Sequence, residues 1–373
     1  MGRVHYLDHA ATTALRPEAL AAMQRQWQQV GNPSSLHHAG RQARRTVEES
    51  REHIADLIGA KPADIVFTSG GTEADNLAVK GIARRGSKRR VLISAVEHHA
   101  VLDPADALAQ EGFRVDRIPV DATGRVDPEE LAGMLDDEVA LVAVMWANNE
   151  VGTIQPIAEI AQLCAAHGIP LHCDAVQILG DPQFEVAGVP SVALSAHKVG
   201  GPVGVGALVL DRNLDVKPLI HGGGQERDVR SGTLDAAGIA GFAAALAAPA
   251  VDPRPLRDEL IAGIREVVPD AVLNGDPVHR LANNAHFSFP GCPGDALLML
   301  LDAADVAVST GSACTAGIPQ PSHVLLAMGA EESVAGSSLR FSLGWNSTSD
   351  DVLAAVDALP RAVERARRAG SRR

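Results

Sequence analysis

Short β-branched, nearly all-apolar runs alternate with helix-period segments through the first two-thirds of the chain. The runs are Ile65–Thr68, Val91–Ser94, Val139–Met145, Leu171–Cys173, Val192–Ser195 and Gly206–Leu210. Between them lie Glu73–Arg84, Pro104–Glu111, Pro128–Leu135 and Ile157–His167, each with helical spacing. Strand and helix alternating at this interval predict an α/β fold with a mostly parallel sheet flanked by helices. Runs without polar alternation suit strands buried on both faces.

The pattern changes after Ala248. Pro249, Pro253 and Pro255 mark a connection. Beyond it, an amphipathic helix at Leu256–Val267, a strand at Ala285–Phe289, a helix at Asp295–Ala303 and a closing helix from Asp350 predict a smaller α+β domain. The basic tail Arg361–Arg373 reads as a solvated helix end, and Arg84–Arg90 as a surface turn. No internal repeat is visible.

Composition narrows the function classes. The 373 residues are 46% apolar and 21% charged, a globular composition whose length suits two domains. With 33 Lys+Arg against 46 Asp+Glu the net charge is −13, which argues against direct nucleic-acid binding or an anionic membrane surface. Aromatics at 3% leave little for base stacking. The opening MGRVHYLDHAATT lacks the apolar run of an export signal. The uncharged stretch Ala236–Val251 falls short of the roughly 20 apolar residues that span a bilayer. Cys164, Cys173, Cys292 and Cys314 are too few for a disulfide framework and show no CxxC spacing. A cytoplasmic location is expected.

Candidate chemistry begins with Ser195-Ala196-His197-Lys198, at the end of a buried strand and before Gly200-Gly201-Pro202. A poorly solvated lysine there can act as an amine nucleophile toward an aldehyde. Taken alone, a lysine at a strand end is more often a surface side chain. Asp174 ends the preceding strand, and strand ends on one edge of a parallel sheet converge on the ligand crevice. An acid and an amine aimed there suit pyridoxal phosphate, whose ring nitrogen a carboxylate keeps protonated. An ordinary Asp174–Lys198 ion pair is the alternative. The third feature is Thr68-Ser69-Gly70-Gly71-Thr72-Glu73, a Gly-rich strand-to-helix turn able to cradle a phosphate. It has neither the GxGxxG nor the GxxxxGK[ST] form, which disfavours dinucleotides and P-loop nucleotides. Cradle, acid and lysine in this order favour a pyridoxal-phosphate enzyme.

The same segments resemble cysteine desulfurases of the NifS/IscS type, in the class V aminotransferase branch of fold-type I pyridoxal-phosphate enzymes. The matching stretches run in order over essentially the whole chain: Tyr6–Thr13, Gly31–Ser35, Gly70–Asn76, Glu97–Val101, Asn148–Gly152, Asp174–Gln177, His197-Lys198, His221–Glu226, Arg230–Thr233, Thr310–Thr315 and Arg340–Gly344. The resemblance implies the fold-type I transferase fold, with a large cofactor-binding domain over 14–248. Residues 1–13 and 249–373 would form the small domain carrying a catalytic cysteine loop. Ala196, Val176 and Gln225 depart from the family's commonest glycine, threonine and histidine without removing a chemical role. The longer stretch from Cys314 through Ser322 to Met328 is similar to the IscS-like group.

Carried across by position, Lys198 resembles the lysine that holds the cofactor aldehyde, and Asp174 the partner of the ring nitrogen. His98 resembles the imidazole that stacks on the ring and shuttles protons. Gln177 would bond the ring hydroxyl oxygen, while Gly71, Thr72, Ser195 and His197 would hold the phosphate. Thr233 matches a residue that reaches the phosphate across a homodimer. Asn149 and Arg340 resemble the pair binding the substrate carboxylate, Arg340 by a two-pronged hydrogen bond.

Cys314 lies among small residues, where a lone cysteine is more often buried and inert. Gly311, Gly317, Pro319 and Pro321 instead predict an irregular surface loop, and the family places its persulfide-forming cysteine in this motif. Reach to the cofactor would need loop motion. Cys164 and Cys173 fall in a helix and a buried strand and read as packing, which is also the simpler account of Cys292. The adjacent pairs His37-His38 and His98-His99 would not share a face, so no metal site is expected.

The implied reaction converts L-cysteine to L-alanine, with sulfur held on Cys314 for delivery to an acceptor protein in iron–sulfur cluster assembly or thiolation. Transamination and selenocysteine lysis on the same scaffold remain alternatives, neither needing Cys314. A docking platform without turnover fits poorly with intact Lys198, Asp174 and Cys314.

Overall fold

The computed structural model describes residues 3–182, 184–186, 188–311 and 321–370. The chain opens with β1 (His5–Tyr6), followed by α1 (Pro17–Trp27) and α2 (His38–Ile58). The main sheet uses β2 (Ile65–Thr68), β3 (Arg90–Ser94), β4 (Arg114–Ile118), β5 (Val139–Ala143), β6 (Leu171–Asp174), β7 (Ser191–Ser195) and β8 (Gly206–Leu210). Its helices are α3 (Gly71–Ala83), α4 (His99–Gln110), α5 (Pro128–Met134), α6 (Ile157–Ala166) and α7 (Ala236–Leu246). After these come α8 (Arg254–Val267), β9 (Val272–Leu273), β10 (Asn284–Ser288), α9 (Gly294–Asp302), β11 (Val306–Ala307), α10 (His323–Ala327), α11 (Glu332–Ala335), β12 (Ser338–Ser342) and α12 (Ser349–Gly370).

Among the described residues the main sheet has seven strands in the order β2-β8-β7-β6-β5-β3-β4. Only β8 runs against its neighbours. Because β2 and β7 are both antiparallel to β8, they point the same way as the remaining strands. The carboxyl ends of β2, β3, β5, β6 and β7 therefore share one edge. β5, β6, β7 and β8 are buried throughout, as the apolar runs of β5 and β8 predict, while β6 (LHCD) and β7 (SVALS) bury polar residues as well.

The remaining strands form a second, smaller assembly. Antiparallel β12-β10-β9 packs with α8, α9 and α12 over Phe287, Phe289, Phe341 and Leu339. The N-terminus belongs with it: β1 pairs with β11, and Leu7 sits in that same core.

Several elements escape the sequence pattern, among them the short strands β1, β9 and β11, strand β12 and helices α7, α10 and α11. β4 (RVDRI) is an edge strand with charged residues where apolar ones are expected, and Asp116 on it pairs with Arg90 at 2.6 Å. Charged edges of this sort block pairing with another chain. Helices α1 and α2 bury thin stripes of small and medium residues, Ala43, Val47, Ile54 and Ile58 among them on α2. Elsewhere the differences lie at boundaries. α3 starts at Gly71, not Glu73, and α4 starts at His99, with Pro104 inside its second turn. Ladder bonds from Val144 and Trp146 to β6 carry the pairing past the end of β5. Among the described residues no helix is long and apolar enough to cross a membrane.

One ion pair ties the loop before α7 to the large core. Glu226 accepts from Arg51 Nη2 at 2.7 Å and from the Phe67 main-chain N–H at 2.7 Å, and it is buried. It sits in a run of three non-glycine residues, Glu226, Arg227 and Asp228, with φ of 45°, 59° and 62°. Such backbone persists only where the surroundings hold it. Replacing Glu226 by Gln is expected to lower the unfolding free energy by about 2 kcal/mol, because Arg51 loses its buried counter-charge and keeps only the exposed Glu48. Denaturant unfolding of the two proteins measures this.

Candidate active site

The shared strand edge opens into a cavity of about 250 Å³. At one side β2 turns into α3. Gly70 has φ +151°, which favours glycine, and α3 starts at Gly71 with its first N–H groups lacking partners in the helix. Gly206 lets this turn lie against β8, since a Cβ there would come within 2.6 Å of the Gly70 Cα. The turn is braced by Glu73, which accepts from Ser69 N at 2.7 Å and from Arg230 Nε at 2.8 Å.

Gly71, Thr72, His98, Asn149, Asp174, Gln177, Ser195, His197 and Lys198 all line this cavity. The sequence scattered them over more than a hundred positions, and the strand edge collects them. Lys198 ends the helical turn Ala196–Lys198 after β7. Its Nζ donates to the Ala10 carbonyl at 2.6 Å and the Ala11 carbonyl at 2.8 Å. Burial lowers the Lys198 ammonium to about 8, and Arg340 pushes the same way. Asp174 and Asp8 oppose them.

Asp174 is buried at the end of β6 and accepts from Val176 N at 2.9 Å. Burial raises its pKa, while His98, that N–H and Lys198 favour the carboxylate. No Asp174–Lys198 ion pair forms at bonding distance among the described residues, so the ordinary-pair alternative is not what holds them. His98 caps α4, its Nδ1 accepting from Ala100 N at 3.0 Å. A neutral ring therefore carries its proton on Nε2, and burial favours that neutral form. Burial, then Lys198, lowers His197 to about 4, and Nδ1 of His197 lies 3.1 Å from Thr12 Oγ1. Gln177 Nε2 donates to the Ala10 carbonyl at 3.0 Å. Residues 10–13 thus lie over the lysine turn.

Arg340, on β12, comes from the smaller assembly. It donates from Nη1 to the Asn149 carbonyl at 2.9 Å and from Nη2 to Asp8 Oδ1 at 2.7 Å. Its buried Nε has no partner among the described residues. Asp8 is a participant that sequence reasoning left without a role, although it lies in the quoted Tyr6–Thr13 stretch. Thr233 is exposed and does not line the cavity. Cys314 and its neighbours 312–320 lie outside the described residues. Cys164, Cys173 and Cys292 are buried in the cores, and burial raises their thiols, Cys164 to about 12. They pack; they are poor nucleophiles.

A second cleft, also of about 250 Å³, flanks the other side of Lys198, bounded by Arg16, Leu246 and Trp345. It lacks the acid and the cradle. His37 caps α2, and among the described residues no cluster of three metal-ligating side chains occurs.

The Lys198 shift sets a pH dependence. Its folded pKa lies below its unfolded value, so the cost of burying the ammonium is full below about pH 8 and fades toward pH 10.4. In cofactor-free protein, Lys198→Met is expected to be more stable than wild type at pH 7 by up to about 3 kcal/mol. That advantage shrinks between pH 8 and 10, as chemical denaturation at several pH values will register.

Comparison with known proteins places these features in context. The family model described as aminotransferase class-V matches residues 5–354. An IscS-like cysteine desulfurase of Mycobacterium tuberculosis is 53% identical, covering 98% of this chain and 97% of the relative. The cysteine desulfurase NifS of Azotobacter vinelandii is 41% identical over 97% of this chain and 93% of its own. A solved NifS-like protein superposes with a TM-score of 0.88 at 35% identity, covering 97% of this chain and 99% of that one.

Proposed function

Since the chain belongs to the class-V aminotransferase family, we propose that it is a pyridoxal 5′-phosphate-dependent cysteine desulfurase converting L-cysteine to L-alanine. The observation that carries this is the convergence of Lys198, Asp174 and the Gly71–Thr72 turn on one cavity. An amine lowered toward neutrality, a buried acid and open helix-start N–H groups match the aldehyde, ring nitrogen and phosphate of that cofactor. The cradle is shaped for close approach: a Cβ on Gly71 would lie 2.7 Å from Val176 Cγ2.

When bound, the cofactor supplies an electron-withdrawing ring that stabilises charge developing at the substrate α-carbon. Lys198, Asp174, Gln177, Ser195, His197, Gly71 and Thr72 would hold it. Lys198 Nζ, poised near neutrality, takes the α-proton and returns a proton at Cβ. His98, with Nδ1 engaged by Ala100 N–H, has Nε2 left for proton exchange. Asn149 and Arg340 orient the substrate carboxylate, the unpartnered Arg340 Nε being the donor in reserve.

Cys314 is the sulfur carrier. Its thiolate attacks the substrate sulfur, forming an S–S bond as the Cβ–S bond breaks. The electron pair remains on the carbon side and protonation at Cβ gives the methyl group of alanine. The persulfide then passes its sulfur to an acceptor protein, in iron–sulfur cluster assembly or a thiolation pathway, in the cytoplasm. A homodimer fits the exposed Thr233, which would serve the partner's phosphate, and the exposed apolar Trp27, Val30 and Leu36. Large-domain residues 14–248 would hold the cofactor, with 1–13 and 249–373 carrying Arg340 and Cys314.

With L-cysteine and a reductant, the protein is expected to release alanine and sulfide in equal yield. Cys314→Ser should keep the visible cofactor band but lose at least about a hundredfold in both products; undiminished alanine would reassign the reaction to another class. Arg340→Lys should raise KM for cysteine by about tenfold or more, since an ammonium cannot make the paired contact. Steady-state kinetics of the two proteins will show it.

A further inference from the structure

Beneath the cavity lies a buried polar cluster that the proposed reaction does not use. His172 and Asp174 stand two residues apart on β6, so both side chains leave the same face of the sheet. Helix α3 packs on that face and brings Asp75, whose Oδ1 lies 3.0 Å from His172 Nε2. On the neighbouring strand Ser191, the register partner of His172, places its Oγ 2.9 Å from Nδ1. Both ring nitrogens are thus engaged in a residue with no solvent exposure. Asp75 is 1% exposed and lines the cavity beside Asp174.

Two buried carboxyls facing one cavity cannot both ionise cheaply. We propose that Asp75 and His172 are a buried positioning pair that retains a proton between them and so leaves Asp174 as the carboxylate facing the cofactor's ring nitrogen. This rests on the cofactor assignment above. In this arrangement the Asp75 carboxyl O–H donates to His172 Nε2, and His172 Nδ1–H donates to Ser191 Oγ. Charge alone points the same way. Burial, Asp174 and Glu97 all push the Asp75 carboxyl well up, and burial pushes His172 down to about 3. The charged groups around Asp75 are Asp174 on β6, Glu97 and His98 from the β3–α4 turn, and Lys198 after β7. The other strands against α3, β2, β5 and β8, carry no charged side chain, and α4 turns Asp103 and Asp106 to solvent. Lys198, His98 and the Val176 N–H favour the Asp174 carboxylate, whereas the side-chain partner of Asp75 is His172. Asp174 therefore takes the charge, and His172 supplies the acceptor for the proton on Asp75.

The test uses cofactor-free protein refilled with pyridoxal phosphate, reading the dissociation constant and the pH midpoint of the visible band. Asp75→Asn keeps a neutral donor toward Nε2 and should leave the midpoint within a few tenths of a unit of wild type. His172→Phe removes the acceptor, but burial beside Asp174 and Glu97 keeps Asp75 protonated. The midpoint should therefore stay within a few tenths of a unit of wild type, while cofactor affinity falls by about tenfold because the Asp75 carboxyl is no longer held in place. Combining Asp75→Asn with His172→Phe should leave the midpoint where His172→Phe alone leaves it. A downward shift of about one unit in Asp75→Asn would mean that Asp75 is natively charged, which overturns the proposal. A downward shift of that size in His172→Phe, which would mean that His172 had held Asp75 as an anion, or an unchanged cofactor affinity in that variant, overturns it too. Should His172→Phe not fold, Asp75→Asn alone decides. Wild-type protein that binds no cofactor would bring down the assignment on which the pair rests, a result distinct from any of these.

Discussion

Asp174 is buried and Lys198 partly buried in one cavity, and the surrounding groups offset the cost of that burial. An ammonium and a carboxyl taken out of water are each pushed toward neutrality. Backbone does much of the offsetting. The Ala10 and Ala11 carbonyls take hydrogen bonds from Lys198, and the Val176 N–H serves Asp174. Dipoles of the main chain cannot titrate, so they stabilise charge without competing for protons. The result is a lysine near neutrality and an acid still able to ionise when a cation arrives.

That arrangement needs both assemblies of the chain. β1 pairs with β11, which anchors residues 8–13 where they can cross from the small core to the lysine turn. Asp8, at the start of that crossing, holds Arg340 from β12, and Arg340 in turn bonds the Asn149 carbonyl of the large unit. One guanidinium therefore joins three segments distant in sequence. A shift of either assembly moves Arg340 relative to Asn149 and Lys198.

The loop from Gln225 to Thr233 shows the same economy. Glu226 is driven into the core by Arg51 and the Phe67 N–H, at the expense of three left-handed residues, while Arg230 braces Glu73 at the cradle. Cradle and loop thus hold one another in place through buried or half-buried charges.

How much of this was legible beforehand depends on whether a local signal existed. Nearly all-apolar runs located the buried strands, and a Gly-rich turn, an acid and a lysine at strand ends pointed to Gly71, Asp174 and Lys198, which line one cavity. Those signals are local because strand burial and helix-start geometry are local. Edge strand β4 and helices α1 and α2 were not legible: charge at a sheet edge, or a thin stripe of alanine and valine, looks like surface until its neighbour is known. The same holds for Asp75, His172 and Asp8. A polar residue inside an apolar run hints at a partner, as His172 does two positions before Asp174, but names none. By itself the sequence indicated six of the seven strands described in the main sheet, the family and the candidate reactive groups, because residue type and short spacing carry that information. Only the tertiary structure decided which buried acid meets which base, since Asp75 and His172 lie far apart in the chain and their protonation depends on who else shares the cavity.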